Sequence, residues 1–257
     1  MESKYSELEK KIKNANRQIY NNKSVEKYNE NESIFNKKRK KRLNSILNNA
    51  SIDAGNKNFL DVGTGTGHLL PFAKKYFENI YACDISENML IQIKNKFPEC
   101  HFFASDAEFL PLVNSSINCV TCYAMLHHLF KHDKLFEECF RILQTGGVLY
   151  TDHDPNYFLN RFYHLFYKIK HRNTPGFGSE LEELAEYHNS SSSGINPEKL
   201  KQILLNIGFS KVIIQYRISD KKNWTGIKQF IVPSLRILSK IIPAKSFFTH
   251  FSIYAIK

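Results

Sequence analysis

An α/β fold, a parallel sheet with helices on both faces, is predicted by three observations in the 257-residue chain. Short apolar runs alternate with amphipathic segments from residue 57 onward, at the spacing of strands and crossover helices. The first run ends in an acid and three glycines at alternate positions, Phe59-Leu-Asp-Val-Gly-Thr-Gly-Thr-Gly-His68. The next two runs also end in acids, Asp84 and Asp106. In open parallel sheets ligands sit beyond the carboxyl ends of the strands, so these acids mark one site.

The elements follow in order. Residues 1–20 and 34–49 are two polar, Lys-rich helices, an N-terminal helical cap over 1–50. A second unit, 51–257, opens with the strand Lys57–Val62 and the helix Gly67–Phe77. The strand Ile80–Cys83 leads into the helix Glu87–Lys96, whose N-cap is Ser86. His101–Ala104 and Ile117–Tyr123 are strands, Asp133–Leu143 a helix, and Gly146–Thr151 a strand after a Gly-Gly turn. The alternation breaks at 154–194, a helical insertion rich in aromatics: Tyr157, Phe158, Phe162, Tyr163, Phe166 and Tyr167. It resumes with the helix Pro197–Ile207, closed by Gly208, the strand Lys211–Tyr216, and a final strand Phe251–Ile256.

Composition sets the compartment and the partners. A hydrophobic fraction of 42% with 24% charged residues is that of a soluble globular protein. The five cysteines stand singly. Cys119 and Cys122 are spaced CxxC, but in a strand positions three apart face opposite sides. Buried thiols in a reducing compartment are therefore expected, with no metal assigned. No signal peptide or membrane-length apolar run is present, so a cytoplasmic protein is expected. The net charge of +11 is uneven: residues 1–50 carry 13 basic and 6 acidic side chains, 195–257 carry 11 and 2, and the middle is net acidic. Basic ends on an acidic centre suit a cationic ligand in the middle and an anionic surface at the periphery. The run Lys37-Lys-Arg-Lys-Lys-Arg42 and the Lys- and Ile-rich segment 227–248 have two readings, solvated helix faces or peripheral contact with an anionic membrane. Specific nucleic-acid binding has no motif behind it.

The chemistry of the strand-end acids is assigned by reach. Asp84, 23 residues after Asp61, can accept both hydroxyls of a ribose. Asp106 can accept from an adenine amine while the Ala107 N–H donates to a ring nitrogen; Ile85 and Met89 are placed to sandwich the base. Asp61 with the loop Gly63, Thr64, Gly65 and Gly67 is left for whatever the ribose carries.

Together these motifs resemble the class I S-adenosylmethionine (SAM)-dependent methyltransferases, and most of all their small-molecule branch of quinone and lipid methyltransferases. The matching residues are Asp61-Val-Gly-Thr-Gly-Thr-Gly67, Asp84-Ile-Ser-Glu-Asn-Met-Leu90, Asp106-Ala-Glu-Phe-Leu-Pro-Leu112, Ala124-Met-Leu-His-His-Leu129 and Arg141-Ile-Leu-Gln-Thr-Gly-Gly-Val-Leu149. A dinucleotide site would carry GxGxxG, whereas this loop is GxGxG. The resemblance implies a Rossmann-like seven-stranded sheet of order 3-2-1-4-5-7-6 with the last strand antiparallel. It implies SAM as cofactor, S-adenosylhomocysteine as product, and Tyr123 beside the cofactor. The implied reaction is in-line methyl transfer to a small, hydrophobic or aromatic acceptor; the alternatives are methylation of a lipid or quinone at a membrane surface and a non-catalytic SAM-binding module.

Candidate proton acceptors are His128, His153 and His188, with His127 and Asp154 as further candidates. Because proximity and orientation alone can supply about 7–11 kcal/mol, the fold does not require a base. Asp154-Pro-Asn-Tyr157 lacks the second proline of a D-P-P-Y motif and follows a different strand, so amino-group methylation of nucleic acid is not implied. The insertion 154–194 is expected to be a lid on the acceptor side.

Overall fold

A computed structural model of the chain describes residues 2–24, 37–159, 179–190, 194–218, 234, 235, 237 and 244–257. Two N-terminal helices, α1 (Glu2–Asn21) and α2 (Lys37–Ala54), precede β1 (Asn58–Val62). There follow α3 (Leu70–Ala73), β2 (Asn79–Asp84), α4 (Glu87–Lys94), β3 (His101–Ala104) and β4 (Ile117–Tyr123). A 3₁₀ turn (Leu126–His128), α5 (Asp133–Ile142) and β5 (Leu143–Pro155) come next. The described remainder holds α6 (Glu180–Ala185), α7 (Tyr187–Ser190), α8 (Pro197–Ile207), β6 (Lys211–Arg217) and β7 (His250–Ile256).

The strands form one sheet of order β3-β2-β1-β4-β5-β7-β6. β1 pairs parallel with β2 and β4, and β7 runs antiparallel to both β5 and β6. The seven-stranded Rossmann-like architecture is thus as the motifs implied. The period-2 alternation of the strands builds a core on each face. Leu60, Val62, Val120, Cys122, Phe136 and Phe251 pack on one side. Phe59, Ala82, Cys119 and Val148 pack on the other, against Leu43, Leu47 and Ala50 of α2. Cys119 and Cys122 therefore lie on opposite faces, and all five cysteines are buried free thiols.

Several features differ from the sequence expectation. The helix expected over Gly67–Phe77 is regular only at Leu70–Ala73. Gly67 holds φ at +74° and Pro71 enters the first turn, so the chain reaches helical geometry late. β5 extends to Pro155, past the expected Thr151, because β7 keeps pairing with it across a bulge between Asp152 and Asp154. The Lys-rich run at 37–42 is not a single solvated face. Helical spacing leaves Lys37, Lys38, Lys40 and Lys41 outside and turns Arg39 inward, while Arg42 Nη2 reaches buried Asp152 Oδ2 at 2.6 Å. Phe162, Tyr163, Phe166 and Tyr167, and most of 227–248, lie outside the described residues.

Candidate functional site

The carboxyl ends of β1, β2 and β4 open into one cavity. It is lined by Asp61, Gly63, Thr64, Gly65, Asp84, Ile85, Met89, Asp106, Ala107 and Tyr123, so the structure brings together every expected cofactor contact except Gly67. Gly67 backs the loop instead: a Cβ there would lie 2.8 Å from Phe97 Cε2. Gly63 is needed for a similar reason, at φ +69° with its notional Cβ 2.5 Å from Met125 Cγ. At Gly65, by contrast, nothing lies within 4 Å of a notional Cβ, so this part of the loop faces open space.

The acids are held by backbone and hydroxyl donors. Asp84 accepts from the Gly65 N–H through Oδ2 and the Ser86 N–H through Oδ1, each at 2.9 Å. Burial pushes its pKa up, and those N–H groups pull it back. Asp61 accepts from Thr121 Oγ1 at 2.6 Å. Burial pushes its carboxyl up to about 7, against the pull of that hydrogen bond and with the help of the Asp84 charge. A buried carboxyl of this kind favours a cationic partner, which would restore its ionised form.

Sequence reasoning missed one wall of the cavity. Lys13, Asn16 and Tyr20 of α1 also line it. Lys13 Nζ lies 2.8 Å from Asp106 Oδ2 and 2.6 Å from Glu108 Oε2. Burial pulls the ammonium pKa down, but hydrogen bonds to the two acids outweigh it and hold it above the usual lysine value. Asn16 Nδ2 donates to the His128 carbonyl at 3.1 Å, and Ser86 Oγ donates to Asn21 Oδ1 at 2.7 Å. A polar, Lys-rich helix carries no local signal that it will cover a site 90 residues downstream; only these long-range contacts show it.

The candidate proton acceptors separate. His128 lines the cavity, whereas His153 and His188 do not. Burial and then the neighbouring His127 pull His128 down to about 4. Burial and then the Arg39 charge bring His153 to about 3, and burial with His132 brings His188 to about 3. All three are neutral at pH 7 and weakly basic, which gives little driving force for proton abstraction. His153 is strained as well, at φ +72° on the β5 bulge. There its ring stacks between Tyr123 (centroids 5.5 Å, planes 6° apart) and His250 (4.5 Å, 4°). His188 lies elsewhere, stacked on His132 at 5.3 Å. His127 is held by Asp154, which accepts from both its Nδ1 at 2.8 Å and its backbone N–H at 3.1 Å.

Comparison with known proteins agrees with this geometry. Residues 60–151 match a family described as a methyltransferase domain. An uncharacterized methyltransferase-like protein of Schizosaccharomyces pombe is 32% identical over 91 residues, 35% of this chain and 35% of that protein. A ubiquinone/menaquinone biosynthesis C-methyltransferase of Campylobacter jejuni is 27% identical over 161 residues, 58% of this chain and 68% of the relative. The match thus spans about a third of the yeast relative. A solved SAM-dependent methyltransferase from Archaeoglobus fulgidus shares the fold, with a TM-score of 0.55 at 19% identity over 85% of this chain and 94% of that one. The matched segment runs from within β1 to within β5 and holds the strand ends that face the cavity; over these residues the chain carries a methyltransferase domain similar to those of class I SAM-dependent methyltransferases.

Proposed function

We propose that the chain methylates a small, hydrophobic or aromatic acceptor. Asp61 with the Gly63–Gly65 turn would hold the methionine end of SAM, Asp84 the ribose, and Asp106, Ala107, Ile85 and Met89 the adenine. When bound, SAM supplies an electrophilic methyl group on a sulfonium. The observation that carries the acceptor class is the pair of tyrosines lining the cavity, Tyr20 of α1 and Tyr123 at the end of β4, the latter backed by its stack on His153. Such rings offer flat apolar faces. With His128, the candidate base that lines the cavity, only weakly basic, the chain contributes mainly position and water exclusion.

Incubating the protein with methyl-labelled SAM and cell extract tests this reading. Label is expected in small molecules that partition into organic solvent, and to vanish with Asp84→Ala. Label found only in protein or nucleic acid would overturn it. Transfer no higher than in the Asp84→Ala control would favour a SAM-binding module without turnover.

A second reading, a quinone or lipid acceptor at an anionic membrane surface, is supported by the Campylobacter relative's name and by exposed Lys37, Lys38, Lys40 and Lys41. No helix among the described residues is long and apolar enough to cross a membrane. Co-sedimentation distinguishes it: the protein then sediments with anionic vesicles at low salt and is released at high salt.

Asp61 gives the site a pH signature. Its carboxyl sits at about 7, and only the ionised form pairs with the methionine ammonium. Raising the pH through 7 creates the binding form, so SAM affinity is expected to rise by up to about tenfold between pH 6 and pH 8. Calorimetry at the two pH values checks this, with Asp61→Asn expected to flatten the difference.

A further inference from the structure

We propose that His127, His128 and Glu186 form a binding site for a divalent transition metal of the zinc class. Among the described residues, one ligand atom from each of these three lies within 4.8 Å of the other two. The rings come from the 3₁₀ turn after β4, the carboxylate from the end of α6, nearly 60 residues downstream.

The tautomers are set from behind. His127 Nδ1 donates to Asp154 Oδ1 at 2.8 Å, on an oxygen that also accepts the His127 backbone N–H. His128 Nδ1 donates to the Ala185 carbonyl at 2.6 Å. Both acceptors take a proton only from the Nδ1 side, so each neutral ring carries its lone pair on Nε2. Metal-bound histidines have this arrangement, the far ring nitrogen donating to a carboxylate or a backbone carbonyl.

The spacing suits a shared cation. His127 Nε2 lies 3.5 Å from Glu186 Oε2, long for a hydrogen bond. Two ligands at about 2.1 Å from a tetrahedral zinc are about 3.4 Å apart. The rings of His127 and His128 are 4.1 Å apart at 44°, so small side-chain rotations bring the third ligand in. Two imidazoles and one carboxylate favour zinc, cobalt or iron over magnesium or calcium.

Three protein ligands leave a coordination position open, and its direction follows from Tyr20. The Tyr20 hydroxyl lies 3.3 Å from His128 Nε2 and 3.4 Å from Glu186 Oε1, and Tyr20 and His128 both line the cofactor cavity. An oxygen donor, water or a ligand hydroxyl, would complete the site from that side. The competing arrangement is a direct contact of His127 with Asp154 and Glu186 and no metal.

Tag-free, chelator-stripped full-length protein titrated with Zn²⁺ by calorimetry, and with Co²⁺ by visible absorption, tests it. One equivalent is expected to bind at micromolar affinity or tighter, and Co²⁺ to give the intense bands of a low-coordinate site. Glu186→Gln and His127→Ala should weaken Zn²⁺ by at least about tenfold, and Asp154→Asn by about 10–100-fold through the lost second contact. His101→Ala, exposed and remote, should leave it unchanged. SAM binding by each variant verifies folding, and half-exposed Glu186→Gln keeps the test decisive if His127→Ala misfolds. Absence of stoichiometric binding, or equal Zn²⁺ affinity in Glu186→Gln and the parent, would overturn the proposal.

Discussion

Asp84→Ala is expected to weaken SAM binding at least tenfold, about 1.4 kcal/mol or more, and to lower stability as well. The carboxylate accepts the backbone N–H of Gly65 and of Ser86, so truncation leaves two donors without it. Each donor stranded from an acceptor costs about 1–3 kcal/mol where water cannot replace it. The Gly65 side opens into the cavity and can be hydrated; Ser86 is fully buried and cannot. Asp84→Asn separates the effects, because its amide oxygen still accepts one N–H while the charge is gone. Calorimetry with SAM and urea melts on both variants provide the measurement. Unchanged affinity in Asp84→Ala would mean that the ribose is held elsewhere.

Phe136→Ala should cost about 3–5 kcal/mol of folding stability with little change in SAM affinity while the protein is folded. Phe136 is fully buried on α5, in the core layer with Leu60, Val62, Val120 and Phe251. The sheet on one side and the rest of α5 on the other limit collapse into the hole. At about 2–4 °C per kcal/mol for a chain of this size, melting should fall by roughly 6–20 °C. A loss below about 1 kcal/mol would show that α5 relaxes into the space, and that this layer is packed less tightly than it looks.

These two residues show what was legible and what was not. Asp84 could be named from sequence because its position depends on local order: strand, acid, then a capped helix beginning at Ser86. Phe136 was predictable as one apolar position of an amphipathic helix, but not as part of the same core layer as Phe251, 115 residues away. Helix α1 was legible as a helix, and its Lys13, Asn16 and Tyr20 were not legible as cavity residues. Helical periodicity says which side chains share a face, but not what that face meets. The split of the Lys37–Arg42 run has the same origin: spacing alone allows a turn of three or four residues to face inward, and Asp152 decides which.

Sequence alone determined the sheet, its glycine loop and the acids at the ends of its first three strands. These are set by contacts close in the chain and by a motif order that few folds accommodate. Tertiary structure decided the rest. It alone laid α1 across the cavity, stacked Tyr123 on His153 and His250, and carried Glu186 to the paired histidines. The physical reason is chain connectivity. Those groups meet only after crossovers and helix docking bring together residues tens to more than a hundred positions apart, and no local pattern encodes the partner at such a separation.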